Sequence, residues 1–258
     1  MKYNNFPQIH AHRGFSEDAP ESTLSAFSLA VENGIDGVEF DLHYTKDCKI
    51  VVHHDYYLGR TSNGTGLLSD KTYEELFALD MGSWFDSKYA DEKIPLFDEV
   101  LELVRNRCKL EVQLASLAEN FIHETVDTII KYKMLDQIEI TSSFPHVLMK
   151  VRQHHPGIKI GVFLSGEPWM LDNLWLLHSL QTMDLIKANV AHIPNERLSE
   201  NNVAMLHKSG YIVHASDCND IANLKKAVAL GVDQLSTDNV RQALDYRKVV
   251  KISQRDHI

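Results

Sequence analysis

At 258 residues the chain can bury about three quarters of its unfolded surface, so one core can form without disulfides or metal staples. Its 26 basic and 36 acidic residues give a net charge of -10, which disfavours nucleic acid and anionic membranes as partners. The three cysteines form no C-x-x-C pair, and neither a secretory leader in residues 1–10 nor a membrane span is predicted. We therefore expect a cytoplasmic protein that acts on a small molecule.

Short β-branched runs alternate with amphipathic segments along most of the chain, a pattern typical of βα units around a parallel sheet. The predicted strands are residues 8–12, 37–42, 50–53, 109–114, 137–141, 159–164, 184–187, 211–215 and 233–236. The predicted helices are residues 22–32, 98–107, 118–133, 145–154, 169–179, 200–208, 220–229 and 240–246. Four glycines that follow helices are expected to end them in the left-handed conformation, namely Gly34, Gly157, Gly210 and Gly231.

This alternation predicts a (β/α)8 TIM barrel. Nine strands are one too many, and residues 50–53 follow the previous strand too closely for a helical crossover, so one of these two strands is expected to pair locally or lack a helix. A doubly wound open sheet is the alternative, although no G-x-G-x-x-G follows the first strand. Residues 56–97 interrupt the rhythm and predict a small inserted lobe or lid on a single barrel domain, 1–258.

Acidic residues lie inside two of the predicted strands. Glu39 and Asp41 are two positions apart and therefore point to one face, and Glu111 shares a face with Gln113 in the strand 109–114. Close carboxylates in a dry site need a cation or a strongly raised pKa. Because oxygen-only donors suit hard ions, the three carboxylates predict one divalent cation, Mg²⁺ or Ca²⁺, at the face where barrel enzymes do chemistry.

Two histidines and an arginine follow predicted strands and should reach the same face. His12 and Arg13 end the first strand, and His54 follows the strand 50–53. One imidazole can take a proton while the other gives one, since both titrate near neutral pH. The planar guanidinium of Arg13 matches phosphate oxygens, so the set predicts acid/base chemistry on a phosphorylated substrate.

Other histidines offer weaker signals. His10 and His12 form an H-x-H pair like that of zinc amidohydrolases, but the strands 137–141 and 159–164 lack the histidine that such a site needs. His192, His207 and His214 show no partners in the sequence. A zinc amidohydrolase is therefore a less favoured enzyme class than a Mg²⁺- or Ca²⁺-dependent enzyme that acts on a phosphorylated substrate.

An ordered set of motifs resembles the glycerophosphodiester phosphodiesterase family from about Ile9 to Asp238. The motifs are His12-Arg13-Gly14, Pro20-Glu21-Ser22-Thr23, Gly37-Val38-Glu39-Phe40-Asp41, His53-His54-Asp55, Asn63-Gly64-Thr65-Gly66 and Ser236-Thr237-Asp238. The resemblance implies a barrel with an inserted lobe that cleaves glycerophosphodiesters to sn-glycerol 3-phosphate and an alcohol. It places the cation on Glu39, Asp41 and Glu111, the acid/base roles on His12 and His54, and the phosphate on Arg13.

Two positions depart from the family pattern. Gln113 stands where the pattern E-x-K places a lysine near the substrate phosphate, and a neutral amide there gives less charge stabilisation. His214 stands where the family commonly has a tryptophan at the mouth. Two alternatives therefore stay open: a barrel that binds glycerophosphodiesters or phosphate without turnover, and a lysophospholipase D-like hydrolase whose inserted lobe offers an apolar path.

Overall fold

The computed structural model describes residues 6–167 and 169–255. Residues 1–5, part of the stretch 1–10 in which no secretory leader is predicted, lie outside the described residues. The strands are β1 Gln8–His12, β2 Gly37–Tyr44, β3 Ile50–Val52, β4 Lys109–Leu114, β5 Ile138–Ser142, β6 Lys159–Phe163, β7 Val190–Ile193, β8 Ile212–Ala215 and β9 Gln234–Thr237. The helices are α1 Leu24–Glu32, α2 Tyr73–Phe77, α3 Phe97–Val104, α4 Glu119–Lys131, α5 Pro145–His154, α6 Asp172–Ile186, α7 Glu200–Lys208, α8 Ile221–Leu230 and α9 Val240–Arg255.

Eight of the strands close into a parallel barrel. Their order is β1-β9-β8-β7-β6-β5-β4-β2, and β1 pairs with β2 to complete the ring. The extra strand, β3, runs antiparallel to the end of β2, with Leu42 opposite Val52. The predicted (β/α)8 barrel is confirmed, the local pairing resolves the surplus strand, and the open-sheet alternative is wrong.

The predicted strand 184–187 is wrong. Residues 184–186 form the last turn of α6, and Lys187 ends that helix in the left-handed conformation with φ 55°. The barrel strand follows as β7, after Ala188 and Asn189. The two apolar residues Leu185 and Ile186 are too few for periodicity to distinguish a strand from a helix end. The helix α6 continues past residue 179, where the predicted helix ends.

The glycine prediction holds at three of four positions. Gly34, Gly210 and Gly231 have φ values of 70°, 85° and 69°, and Gly231 is the left-handed cap of α8. Gly157 does not adopt a positive φ in the described chain.

The strands place polar side chains inside the barrel and apolar ones against the helices. Phe40 packs against Phe27 of α1 and Phe97 of α3, with ring centroids 5.4 and 6.1 Å apart. Because side chains alternate along a strand, its neighbours Glu39 and Asp41 point into the barrel. This alternation delivers the predicted acidic residues to the barrel axis.

The segment between β3 and α3 has an apolar cluster of its own. Val51, Leu58, Leu68, Leu76, Met81 and Ile94 are buried together there. Thr72 and Glu75 form a capping box that fixes the start of α2. The division into one domain with residues 56–97 as an insertion stays a prediction, and this cluster supports it. None of the helices in the described part of the chain combines the length and apolar content that a membrane span requires.

Candidate active site

A cavity of about 290 Å³, here called the mouth cavity, opens at the carboxyl ends of the barrel strands. All seven residues predicted for the site line it, namely His12, Arg13, Glu39, Asp41, His54, Glu111 and Gln113. A larger cavity of about 760 Å³, the N-terminal cavity, lies at the opposite end beside Gln8, Lys109 and Asp233. The mouth cavity is the candidate active site because it holds the acid/base and acidic groups and lies at the catalytic end of the barrel fold.

Glu39 and Asp41 form a buried acidic pair, with exposures of 3% and 2%. Burial and the neighbouring Asp41 carboxylate raise the pKa of Glu39 well above its usual value. Burial, together with the charges of Glu21 and Glu111, raises the pKa of Asp41 to about 8 against the attraction of Arg13. Asp41 Oδ2 is buried and has no hydrogen-bond partner among the described residues. The ionised pair therefore lacks compensating positive charge and has a free oxygen, and a bound hard cation would satisfy both.

Each of the two predicted catalytic histidines has a carboxylate on Nδ1. His12 Nδ1 lies 2.6 Å from Asp238 Oδ1, and His54 Nδ1 lies 2.5 Å from Asp55 Oδ1. A carboxylate that accepts a hydrogen bond from Nδ1–H fixes the ring and leaves Nε2 to exchange protons with a substrate. Asp55 and Asp238 belong to the motifs of the sequence but were missed as site residues.

An ionic network connects the inserted segment to the mouth. Arg13 Nη1 donates to Glu21 Oε1 at 2.9 Å, and Arg60 donates to both oxygens of Glu21 at 2.7 and 2.8 Å. Arg60 Nε also donates to Asp55 Oδ2 at 2.6 Å. The side chain of Arg60 is 46% exposed, so water weakens these pairs and their main effect is positional. They orient Arg13 and also Asp55, the carboxylate that holds His54.

A second set of charged groups lies deeper in the barrel and is here called the interior cluster. Its members are His10, Glu111, Glu139, His192 and His214, all at most 3% exposed. Glu111 Oε2 lies 2.9 Å from His10 Nδ1, and Glu111 Oε1 lies 3.3 Å from His192 Nδ1. Burial disfavours the charged carboxylate, but these neighbouring histidines outweigh it and hold the pKa of Glu111 well below its usual range.

Two of the three later histidines have close carboxylate partners that the sequence does not mark, and the third, His214, lies near Glu111 without a hydrogen bond to any described residue. His192 Nε2 lies 2.7 Å from Glu139 Oε1, and His214 Nδ1 lies 3.5 Å from Glu111 Oε2. His207 Nε2, outside the cluster, lies 2.8 Å from Asp233 Oδ2. The partners come from distant strands or loops, so no local motif marks them.

Gly161 leaves the space that the interior cluster occupies, and Gly161→Ala should destabilise the fold. A Cβ there would meet Glu139 Oε1 and lie 2.6 Å from His192 Nε2. Overpacking a rigid core costs about 1–3 kcal/mol of unfolding free energy. The urea midpoint should therefore fall by the concentration that corresponds to this loss, while the slope of unfolding free energy against urea stays unchanged. Gly157→Ala is the matched control, because its Cβ would meet nothing closer than 3.4 Å. Equal midpoints for the two variants would contradict the packing of this cluster.

The parallel barrel with an acidic, histidine-bearing mouth defines a TIM-barrel protein with a site at the carboxyl ends of its strands. Residues 12–242 match the glycerophosphoryl diester phosphodiesterase family, and the chain belongs to this family. The family suggested by the sequence motifs is thereby confirmed.

Individual relatives cover between about two thirds and nearly all of the chain. It is 32% identical over 249 residues to a glycerophosphodiester phosphodiesterase of Bacillus altitudinis, covering 95% of this chain and 99% of that protein. A glycerophosphodiester phosphodiesterase of Caldanaerobacter subterraneus is 39% identical over 168 residues, covering 62% of this chain and 69% of that protein. A solved phosphodiesterase of Oleispira antarctica, in complex with the product sn-glycerol-3-phosphate, is 28% identical with a TM-score of 0.79, covering 93% and 97% of the two chains.

Proposed function

We propose that this protein hydrolyses glycerophosphodiesters to sn-glycerol 3-phosphate and an alcohol. The observation that carries the proposal is the mouth cavity, in which two carboxylate-supported histidines accompany a buried acidic pair. Family membership and the product named for the Oleispira antarctica relative support the same substrate class.

Glu39, Asp41 and Glu111 would hold one divalent cation, Mg²⁺ or Ca²⁺. Their donor atoms are all carboxylate oxygens. The raised pKa values of Glu39 and Asp41 indicate that protein groups do not compensate the negative charge of their ionised forms. Such a cation would supply positive charge for the phosphate oxygens and the glycerol hydroxyl. Arg13 would bind the phosphate, and Gln113 would contribute a hydrogen bond in place of a charge.

The two histidines would take opposite roles. Burial lowers the pKa of His54 despite its hydrogen bond to Asp55, so His54 is neutral and can accept the proton of the glycerol 2-hydroxyl. Burial also opposes the charged form of His12, but the charge of Glu39 and the bond to Asp238 outweigh it and raise its pKa to about 9. His12 is therefore protonated at neutral pH and can donate to the leaving alcohol.

The reaction would proceed in two stages. The glycerol 2-oxygen attacks phosphorus and forms a cyclic phosphate, while the phosphorus bond to the alcohol breaks and the alcohol oxygen receives the proton of His12. Water then opens the cyclic ester, with His12 taking a proton from water and His54 returning one to the glycerol oxygen. The absence of any cyclic phosphate in rapidly quenched reactions would contradict this route.

The proposed roles predict a bell-shaped dependence of kcat/KM on pH. Activity should rise as His54 loses its proton below pH 6.5 and fall near pH 9 as His12 loses its own. Because Asp238 helps to raise the pKa of His12, Asp238→Asn should move the alkaline limb to lower pH and leave the acid limb in place. An unchanged alkaline limb would assign it to another group.

The activity is tested by glycerol 3-phosphate release from glycerophosphocholine and glycerophosphoethanolamine. We expect turnover with Mg²⁺ or Ca²⁺ and its loss with a chelator. Equal rates with and without chelator would contradict the proposed cation. Binding of both compounds without turnover, with turnover restored in Gln113→Lys, would instead favour the non-catalytic barrel.

A specific cavity favours lysophospholipids as a second substrate class. A space of about 740 Å³ adjoins the mouth cavity. Its lining includes the site residues His54 and Asp41 together with Tyr56, Tyr57 and Leu67. Tyr56 and Tyr57 are 53% and 65% exposed, so an acyl chain could cover them. Choline release from lysophosphatidylcholine that is lost in Tyr56→Ser would support this class, and the absence of release would contradict it.

The cellular setting is part of the proposal. Cys48, Cys108 and Cys218 are free, which supports a reducing, cytoplasmic location. The net charge of -10 supports a small-molecule substrate rather than nucleic acid.

A further inference from the structure

The interior cluster is chemically unlike the acidic mouth, because it offers imidazole nitrogens as well as carboxylate oxygens. We propose that His10, Glu111 and His214 form a binding site for one zinc-class divalent ion inside the barrel. The site lies below the mouth and shares only Glu111 with the proposed Mg²⁺ or Ca²⁺ site.

The spacing of the donor atoms fits such an ion. One donor atom each from His10, Glu111 and His214 lies within 4.8 Å of the other two. Glu111 Oε2 is 2.9 Å from His10 Nδ1 and 3.5 Å from His214 Nδ1. Around a tetrahedral zinc ion with bonds of about 2.0–2.1 Å, neighbouring donors lie about 3.3 Å apart. Both distances from Glu111 Oε2 are close to this value.

His214 gives an independent sign of a missing ligand. Its side chain is fully buried, and among the described residues neither ring nitrogen has a hydrogen-bond partner. An imidazole carries at least one N–H and either a lone pair or a second N–H, so burial without partners is costly. A bound ion would satisfy one nitrogen of His214.

His192 adjoins the proposed site through Glu111 but lies outside the set of three donors that are within 4.8 Å of one another. Its Nε2 lies 2.7 Å from Glu139 Oε1, and Lys159 Nζ lies 3.0 Å from Glu139 Oε2. When Nε2–H donates to Glu139, the lone pair of Nδ1 faces Glu111 Oε1 at 3.3 Å. Two such acceptors repel unless a cation or proton lies between them. Carboxylate support of this kind is common behind metal-binding histidines.

The surroundings provide both space and access. A Cβ at Gly37 would lie 2.6 Å from the ring of His10, so the glycine leaves the space that the ring occupies. The N-terminal cavity is lined by His10, Glu139 and Lys159, which gives an ion a route from solvent that avoids the mouth. Imidazole-rich donor sets favour zinc-class ions over Mg²⁺ and Ca²⁺.

The test uses the full chain without a histidine tag, stripped with chelator, loaded with Zn²⁺ or Co²⁺ and dialysed. We expect one tightly held zinc ion per chain and the visible absorption of tetrahedral Co²⁺. His10→Phe and His214→Phe should each weaken zinc affinity at least about tenfold. His207→Phe is the matched control, because its partner Asp233 lies outside the interior cluster. X-ray absorption of zinc-loaded wild type should show at least two imidazoles and does not depend on variant folding.

Three results would overturn the interior site: no zinc retained by wild type, unchanged affinity in a folded His214→Phe, or zinc lost in Asp41→Asn but kept in His214→Phe. The last result would place the ion at the mouth. This inference is separable from the proposed hydrolysis, since zinc retention without turnover contradicts only the hydrolysis. Turnover without zinc retention contradicts only the interior site.

Discussion

We expect His54→Ala to lower kcat for glycerol 3-phosphate release by about 10²–10⁴-fold, because it removes the proposed base for the 2-hydroxyl proton. The ring of His54 lies in the mouth cavity, and Asp55 Oδ1, 2.5 Å from its Nδ1, holds it in place. Steady-state kinetics with saturating Ca²⁺ or Mg²⁺ measure the loss. KM should change little if the base acts mainly in the transition state.

The matched control is His123→Ala, a histidine of α4 that stacks on His154 on the outside of the barrel. It should retain the wild-type rate. Asp55→Asn should lose less activity than His54→Ala, since it disturbs the orientation of the base but leaves the base in place. A His54→Ala enzyme within tenfold of wild type would remove His54 from the mechanism.

Asp41→Asn should abolish cation-dependent turnover and at the same time stabilise the chelated protein. In the folded chain the pKa of Asp41 is about 8, compared with an ordinary value of 3.8. Between those values the folded state keeps a proton that the unfolded state has lost, so without a cation stability falls as pH rises. Asparagine removes this cost, so Asp41→Asn should be more stable than wild type in chelator at pH 8.

Thermal unfolding with chelator and with saturating Ca²⁺ or Mg²⁺ measures both effects. Wild type should be less stable than Asp41→Asn in chelator and should gain stability with the cation, whereas the variant should respond weakly. The exposed Glu196→Gln is the charge-matched control and should follow wild type in both buffers. An equal cation response in wild type and Asp41→Asn would place the ion elsewhere.

The repeating pattern of the sequence was sufficient to predict the barrel and the inward-facing side of β2 and β4, but not the position of β7. Glu39, Asp41 and Gln113 follow from alternation alone, and their strands pair in register, with Asp41 opposite Gln113. The error at 184–187 arose because two apolar residues, Leu185 and Ile186, are too few for periodicity to separate a helix end from a buried strand.

Contacts that depend on barrel closure and register could not be predicted. Asp238 reaches His12 only because the first and last strands pair, 226 positions apart in the chain. His192 lies opposite His214, and Glu111 opposite Glu139, because of strand register. A lone polar residue in an apolar strand gives its face but not its level along the barrel axis.

Glu111 connects the two levels of the barrel. It lines the mouth cavity, yet both of its oxygens face histidines of the interior cluster. The neutral Gln113 beside it adds no positive charge, so the buried histidines are the nearest groups that stabilise the charge of Glu111. Of the two departures from the family pattern, His214 is the one that lies against this carboxylate, at 3.5 Å.

Phosphorus NMR of wild-type protein with glycerophosphocholine and Ca²⁺ tests the central claim most directly, because it identifies which phosphate ester bond breaks. The proposed mechanism predicts loss of the diester signal and growth of glycerol 3-phosphate, with both changes stopped by chelator. Growth of phosphocholine instead, or an unchanged diester signal with folded protein and bound cation, would contradict it.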